Sequence, residues 1–268
     1  MTPKISVVTI SFNQAGYIKD CIDSVISQLK PGDQYIVVDP GSTDGSRDII
    51  DSYDSIERVY ESDSGPADGL NKGFSQARNE YLYFINSDDL LLEGALDEIR
   101  KVLKKNDEID VFCFSGFLVN KNLGKIRPMR SFTFSTDRML MCSTTVFQQG
   151  VVFKRKAFEN VGGFNQNNRT CWDAELLYDM SVKNKLFMDI DLPVALFRYH
   201  DTSITGSATN FSENKANKDR MFFSSYNRYP NFFDRLQMKI NTYRKYFYLK
   251  YTFTYLLLRL KAALGCKT

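Results

Sequence analysis

Four times within the first 105 residues, a short apolar run ends in polar or acidic side chains and gives way to a turn and a helix-forming stretch. Residues 5–11 lead to Asn13, 35–38 end at Asp39, 58–61 are followed by Asp63, and 81–85 run into Asn86, Ser87, Asp88 and Asp89. The intervening helices are predicted over about 15–29, 46–53, 66–77 and 93–105. In the first, Ile18, Cys21, Ile22, Val25, Ile26 and Leu29 share one face, and Pro31-Gly32 stops it. Asp44 or Ser46 is the expected cap of the second. Strand and helix alternating in units of roughly 30 residues predict an α/β fold with a mainly parallel sheet covered by helices. Ligands in such sheets lie beyond the carboxyl ends of the strands. Asn13, Asp39, Asp63, Asp88 and Asp89 should therefore converge on one rim. A further strand is predicted over 109–119. Beyond it the periodicity weakens, and 120–150 reads as irregular structure or an inserted hairpin. Helical spacing returns at 174–182.

Composition narrows the chemistry. A chain of 268 residues, 43% hydrophobic and 25% charged, is long enough for one large domain, or one domain with an appendage. A net charge of +3 is too small to indicate a nucleic-acid partner. The five cysteines are scattered, without a CxxC pair, which argues against a zinc site or disulfide framework and for a reducing compartment. No secretory leader is expected at the N-terminus, and no window holds 18 uninterrupted apolar residues. After the first strand the chain reads SFNQAGY, not the G-x-G-x-x-G of a dinucleotide fold, and no P-loop is present. Phosphates must be held differently. Adjacent Asp88 and Asp89 at a strand end can carry a hard divalent cation that bridges a diphosphate, and the cation offsets their mutual repulsion. The bland alternative is a helix cap followed by a first-turn acid.

The segments VVTISFNQAGYIKDCIDSVISQ, IVVDPGSTDGSRDII and ESDSGPADGLNKGFSQARNEYLYFINSDDLL, followed by GVVFKRKAFENVGGFN, CWDAELLYDMSVKN and FRYHDTSIT, occur in this order over about residues 4–206. Together they resemble the family 2 glycosyltransferases of the GT-A fold, above all bacterial enzymes of lipopolysaccharide, capsule or exopolysaccharide synthesis. The resemblance implies a Rossmann-like, mainly parallel sheet flanked by helices. It also implies inverting, metal-dependent transfer of a hexose from a nucleotide diphosphate donor, expected to be UDP-linked, to a glycan or polyprenyl-linked acceptor. By the same analogy Thr9, Ser11, Asn13 and Asp39 hold base and ribose, and Asp39 accepts the imide N–H if the base is uracil. Asp68 and Asn71 line the donor pocket. Asp88 contacts ribose or sugar, and Asp89 binds Mn2+ or Mg2+. Pro40 stands where many relatives carry a second acid or a glycine.

An inverting transfer needs a carboxylate that takes the acceptor hydroxyl proton. The family places it after the G-G-F segment, where CWDAELL offers Asp173 first and Glu175 in reserve. Two residues apart at a helix start, they point in different directions. Trp172, the only tryptophan, either stacks on a sugar face or belongs to the core. His200, the only histidine, stands where relatives carry one near the diphosphate or the metal, and Arg198 is a second candidate for the phosphates.

The GT-A domain is expected over 1–210, with a helical, basic and aromatic extension over 211–268. There Leu236, Ile240, Tyr243, Phe247, Tyr251, Tyr255 and Leu258 alternate with lysines and arginines. Such a face either packs on the domain or rests on anionic lipid through 232–261. The expected location is cytoplasmic, with peripheral contact on the inner face of the membrane. Two other classes compete. A non-catalytic nucleotide-sugar-binding subunit of an assembly complex would not need the intact acids. A sugar nucleotidyltransferase would need a Gly-rich basic loop after the first strand. Donor and acceptor selectivity are expected to depend on 120–150 and on Gln148 and Gln149.

Overall fold

A computed structural model of the chain describes residues 2–200 and 211–246. Strands β1 (Ile5–Ile10), β2 (Gln34–Val38), β3 (Glu57–Val59) and β4 (Tyr81–Phe84) lie side by side in the order β3-β2-β1-β4, all parallel. Helices α1 (Ile18–Ile26), α2 (Ser46–Asp51), α3 (Pro66–Ser75) and α4 (Ala95–Lys105) accompany them. Strands buried on both faces explain the continuous apolar runs. Val7, Val37 and Tyr83 join the core cluster with α1 and α4, while Val8, Val38 and Leu82 join the cluster with α3. The helix over 46–53 begins after Gly45, and Asp44 accepts the Ser46 N–H at 3.0 Å.

Past β4 the sheet becomes mixed. The short β5 (Leu90–Leu91), β6 (Val111–Asn120), β7 (Lys125–Met129), β8 (Val151–Lys154) and β9 (Phe187–Tyr199) extend it in the order β4-β8-β6-β9-β5, with β7 paired to β6. The β6–β7 pair is antiparallel, so the irregular region opens with a hairpin. Helices α5 (Thr136–Leu140), α6 (Arg155–Val161) and α7 (Trp172–Val182) follow. β9 runs parallel to β6 and delivers Arg198, Tyr199 and His200 to the same rim as the β4 turn. The described cysteines are all free.

Helices α8 (Phe211–Tyr226) and α9 (Phe232–Tyr246) pack back on this body. Met221 and Phe222 are buried with Leu140, Cys171 and Tyr178, and the Tyr178 hydroxyl donates to the Met221 carbonyl at 3.0 Å. The Asn241 side chain reaches the Met141 carbonyl at 2.8 Å. The expected boundary at 210 and the aromatic residues from Phe247 onward lie outside the described residues.

Candidate active site

The rim at the strand ends closes over a cavity of about 830 Å³. Ser11, Phe12, Pro40 and Asp63 border it from β1–β3, the Asn86–Asp88 turn from β4, Gln148 and Gln149 from before β8, and Trp172 and Asp173 from α7. The convergence expected from the strand ends is thus carried by some of their residues and not by others.

The two adjacent aspartates part at the turn. Asp89 is fully buried. Its carboxylate accepts the backbone N–H of Arg198 at 2.9 Å, the Gln149 amide at 2.9 Å and the Asn86 amide at 3.3 Å. Burial first, and the Asp88 charge second, push Asp89 well above the usual carboxylate range against these donors. Asp88 borders the cavity instead and pairs with His200, Nε2 to Oδ2 at 2.9 Å. The imidazole is stacked on Tyr17, with ring centres 4.7 Å apart. His200, anticipated beside Asp89, therefore stands with Asp88. Arg198 is buried, with its guanidinium 5.0 Å from the Tyr17 ring centre and 3.0 Å from Asp20. What it gives the acidic turn is its backbone amide.

Asp39 is also fully buried. It accepts the N–H groups of Gly41 (3.0 Å) and Ser42 (2.8 Å), the Ser42 hydroxyl (2.6 Å) and the Arg47 Nε–H (3.0 Å). Burial alone raises an acid, but these donors outweigh it and hold Asp39 below its ordinary range. Asn13, at φ 53°, accepts the Thr43 N–H at 3.0 Å, and its own N–H reaches the Ser42 hydroxyl at 2.8 Å. Asn13 ties the loop after β1 to the loop after β2, Asp39 folds the second loop on itself, and Pro40 presents that loop to the cavity. Thr9 lies beneath, bonded to the Tyr35 hydroxyl at 3.0 Å. Ser11 lines the cavity, and its buried hydroxyl has no protein partner.

Asp68 and Asn71 act on the frame of the pocket. Asp68 receives the Ser64 N–H at 2.9 Å and the Gln166 amide at 3.0 Å. Asn71 holds both the N–H and the carbonyl of Phe164 at 2.9 Å, fixing the G-G-F segment. Asp63 reaches the cavity in their place, raised chiefly by burial. Its position after β3 was the available sequence signal. Phe12 and Gln148 also line the cavity, and for Phe12 no spacing rule pointed there.

On α7, Glu175 is buried and spent on Asn165 (2.9 Å), Asn168 (2.5 Å) and Arg220 (2.7 Å). Asp173 faces the cavity and has no hydrogen bond to another side chain among the described residues. Burial raises it, opposed by N–H groups of the helix start and by the Lys218 charge. Trp172 belongs to the core, packing on Phe84 and Phe164 (ring centres 5.7 and 5.3 Å), and it also borders the cavity.

Among the described residues no group of three or more His, Cys, Asp and Glu side chains is arranged to hold a metal. Asp88 brings one carboxylate to the cavity, and the buried His200 imidazole holds it from behind. A carboxylate oxygen at this rim suits a hard divalent cation, which Asp88 would hold with His200 orienting it.

Solved structures share this architecture. Staphylococcus aureus TarS 1–349, in complex with UDP-GlcNAc, aligns with a TM-score of 0.65 at 17% identity, covering 82% of this chain and 66% of that one. The mannosyltransferase PcManGT from Pyrobaculum calidifontis, in complex with GDP-Man and Mn2+, aligns at 0.64 and 14% identity, over 100% and 77%. At such identities the likeness is one of fold, here the GT-A type. In sequence, the putative teichuronic acid biosynthesis glycosyltransferase TuaG of Bacillus subtilis is 38% identical over 121 residues, 43% of this chain and 47% of that protein. An uncharacterized glycosyltransferase of Rickettsia typhi is 25% identical over 222 residues, 78% of this chain and 68% of that one. The chain thus spans about half of TuaG and two thirds of the Rickettsia protein. Residues 6–162, more than half of the chain, match glycosyl transferase family 2, and the protein belongs to that family.

Proposed function

We propose that the chain transfers a sugar, with inversion, from a nucleoside diphosphate donor to a glycan or lipid-linked acceptor in surface-polysaccharide synthesis. The observation that carries this reading is the pairing of two carboxylates, Asp88 and Asp173, on one cavity, while their neighbours Asp89 and Glu175 are consumed by protein contacts. Relatives named for UDP-GlcNAc and for teichuronic acid synthesis support UDP and a polysaccharide product. Ser11, Asp63 and the Pro40 loop receive base and ribose. Asp88, oriented by His200, holds the diphosphate end, with Mn2+ or Mg2+. That cation, when bound, spreads the charge of the departing diphosphate.

Asp173 accepts the proton of the acceptor hydroxyl as that oxygen bonds to the anomeric carbon. The bond from carbon to diphosphate oxygen breaks on the opposite face, which inverts the centre. A panel of nucleotide sugars with Mn2+ tests the reading. One donor should raise the melting temperature by mass action and be turned over with release of its nucleoside diphosphate. A protein that binds UDP but turns over no donor with any acceptor would be a binding subunit instead.

Peripheral membrane contact is part of the same proposal. No helix among the described residues is long and apolar enough to cross a membrane. On α9, however, Phe232 and Phe233 are 73% and 76% exposed beside basic side chains. Flotation of the full chain with anionic vesicles should be lost in Phe232→Ser/Phe233→Ser. Equal flotation would remove this contact.

A further inference from the structure

A second cavity, of about 700 Å³, lies between α5, α7, α8 and α9. It shares Val146, Gln148, Thr170 and Asp173 with the first. The carboxylate assigned to proton removal therefore stands where the two meet, as a base must between donor and acceptor. Two features give this second space a ligand character of its own. Its wall is apolar, with Phe134, Met139, Leu140, Leu177, Met221 and Met238. Its rim is cationic, since Lys215 and Lys218 enter it from one face of α8, one turn apart.

The charges around it can be counted by partner. Arg235 is engaged with Asp219 at 3.0 Å. The Lys218 charge acts on Asp173. Neither lysine has an ion-pair partner among the described residues. At the junction, the Gln148 side chain accepts from Asn86 at 3.3 Å, while its Nε2 hydrogens are buried without a protein partner. A buried amide donor left unpaired is costly, so a polar ligand atom is the natural complement. A neutral, wholly apolar ligand would leave this amide unanswered and make no use of the two exposed ammonium groups.

We propose that the second cavity binds the acceptor, and that the acceptor is anionic. A phosphate or carboxylate near its accepting hydroxyl lies against Lys215 and Lys218, and its less polar part lies on the methionine-rich wall. This rests on the glycosyltransferase reading and adds the substrate's charge to it. The chemistry has two sources, a lipid-linked phosphate or an acidic glycan. Calorimetry on the full chain, saturated with UDP and Mn2+ so that the donor's phosphate site is filled, separates them. The probes are farnesyl diphosphate against farnesol, and a glucuronate disaccharide against its neutral glucose counterpart.

At least one charged probe should bind about tenfold or more tightly than its neutral counterpart, and which one does so names the source. Lys215→Gln/Lys218→Gln should abolish the preference with UDP affinity unchanged, and Lys215→Arg/Lys218→Arg should keep it. Equal binding of charged and neutral probes, or a preference that survives in the glutamine variant, overturns the proposal. Failure of UDP itself to bind the wild-type chain would instead remove the glycosyltransferase reading beneath it.

Discussion

Asp88 and Asp89 are chemically identical and adjacent, yet the β4 turn gives them opposite duties. Asp89 fastens the turn to the end of β9 through an amide 109 residues away. Asp88 is left on the cavity, backed by the buried His200. The sequence could place the pair on the rim, because an acidic turn after a buried strand is a local pattern. It could not tell which acid faces inward, since that depends on β9 and on the Gln149 amide. The same holds for Asp39 and Asn71, polar residues in the right places whose oxygens are claimed by their own loop and by the G-G-F segment. Asp89→Asn offers a donor where three donors already point and should lower stability by about 1–3 kcal/mol in urea denaturation. Asp88→Asn should stay within about 1 kcal/mol of wild type in the same assay, yet lose Mn2+-dependent UDP binding by calorimetry. The reverse pattern would return the metal to Asp89.

At the scale of elements, the close seating of α3 on the sheet depends on Gly73. A Cβ there would meet Val8 Cγ1 at 2.5 Å and Val38 Cγ2 at 2.9 Å. Gly73→Ala should therefore destabilise by about 1–3 kcal/mol through overpacking, despite the roughly 1 kcal/mol that alanine gains in helix propensity. Adding Val8→Ala should recover part of the loss, and thermal denaturation of the two variants decides it. On α7, burial and the nearby Glu175 charge push Asp179 up to about 6. Its folded pKa lies above the unfolded value, so ionisation disfavours the fold. The contribution is largest below about pH 4 and is lost as pH rises through 6. Asp179→Asn should raise stability at pH 8 by about 1 kcal/mol after allowance for its partial exposure, and leave it unchanged at pH 4. A gain equal at both values would contradict the shift.

Legibility differed among elements for physical reasons. The four leading strand–helix units carry strong periodic signals. β9 is ambiguous, because Met188, Ile190 and Leu192 alternate with Asp189 and Asp191 as a half-exposed strand does, but Pro193 argues against a central strand. β8, of 4 residues, and α6, of 7, are too short to show a period.

The whole molecule is a parallel, nucleotide-type half sheet extended by a mixed half that brings a second set of polar groups to the same rim. The amphipathic stripe on α9 was visible in the sequence. Its docking was not, because that depends on scattered partners such as Met141 and Asp219. The central claim is that one cavity separates donor holding, at Asp88, from proton removal, at Asp173. The most direct test is turnover by Asp173→Asn beside its affinity for UDP with Mn2+. The account predicts UDP affinity within about twofold of wild type and transfer slowed by about 10²–10⁴-fold. Transfer at the wild-type rate in Asp173→Asn would contradict it.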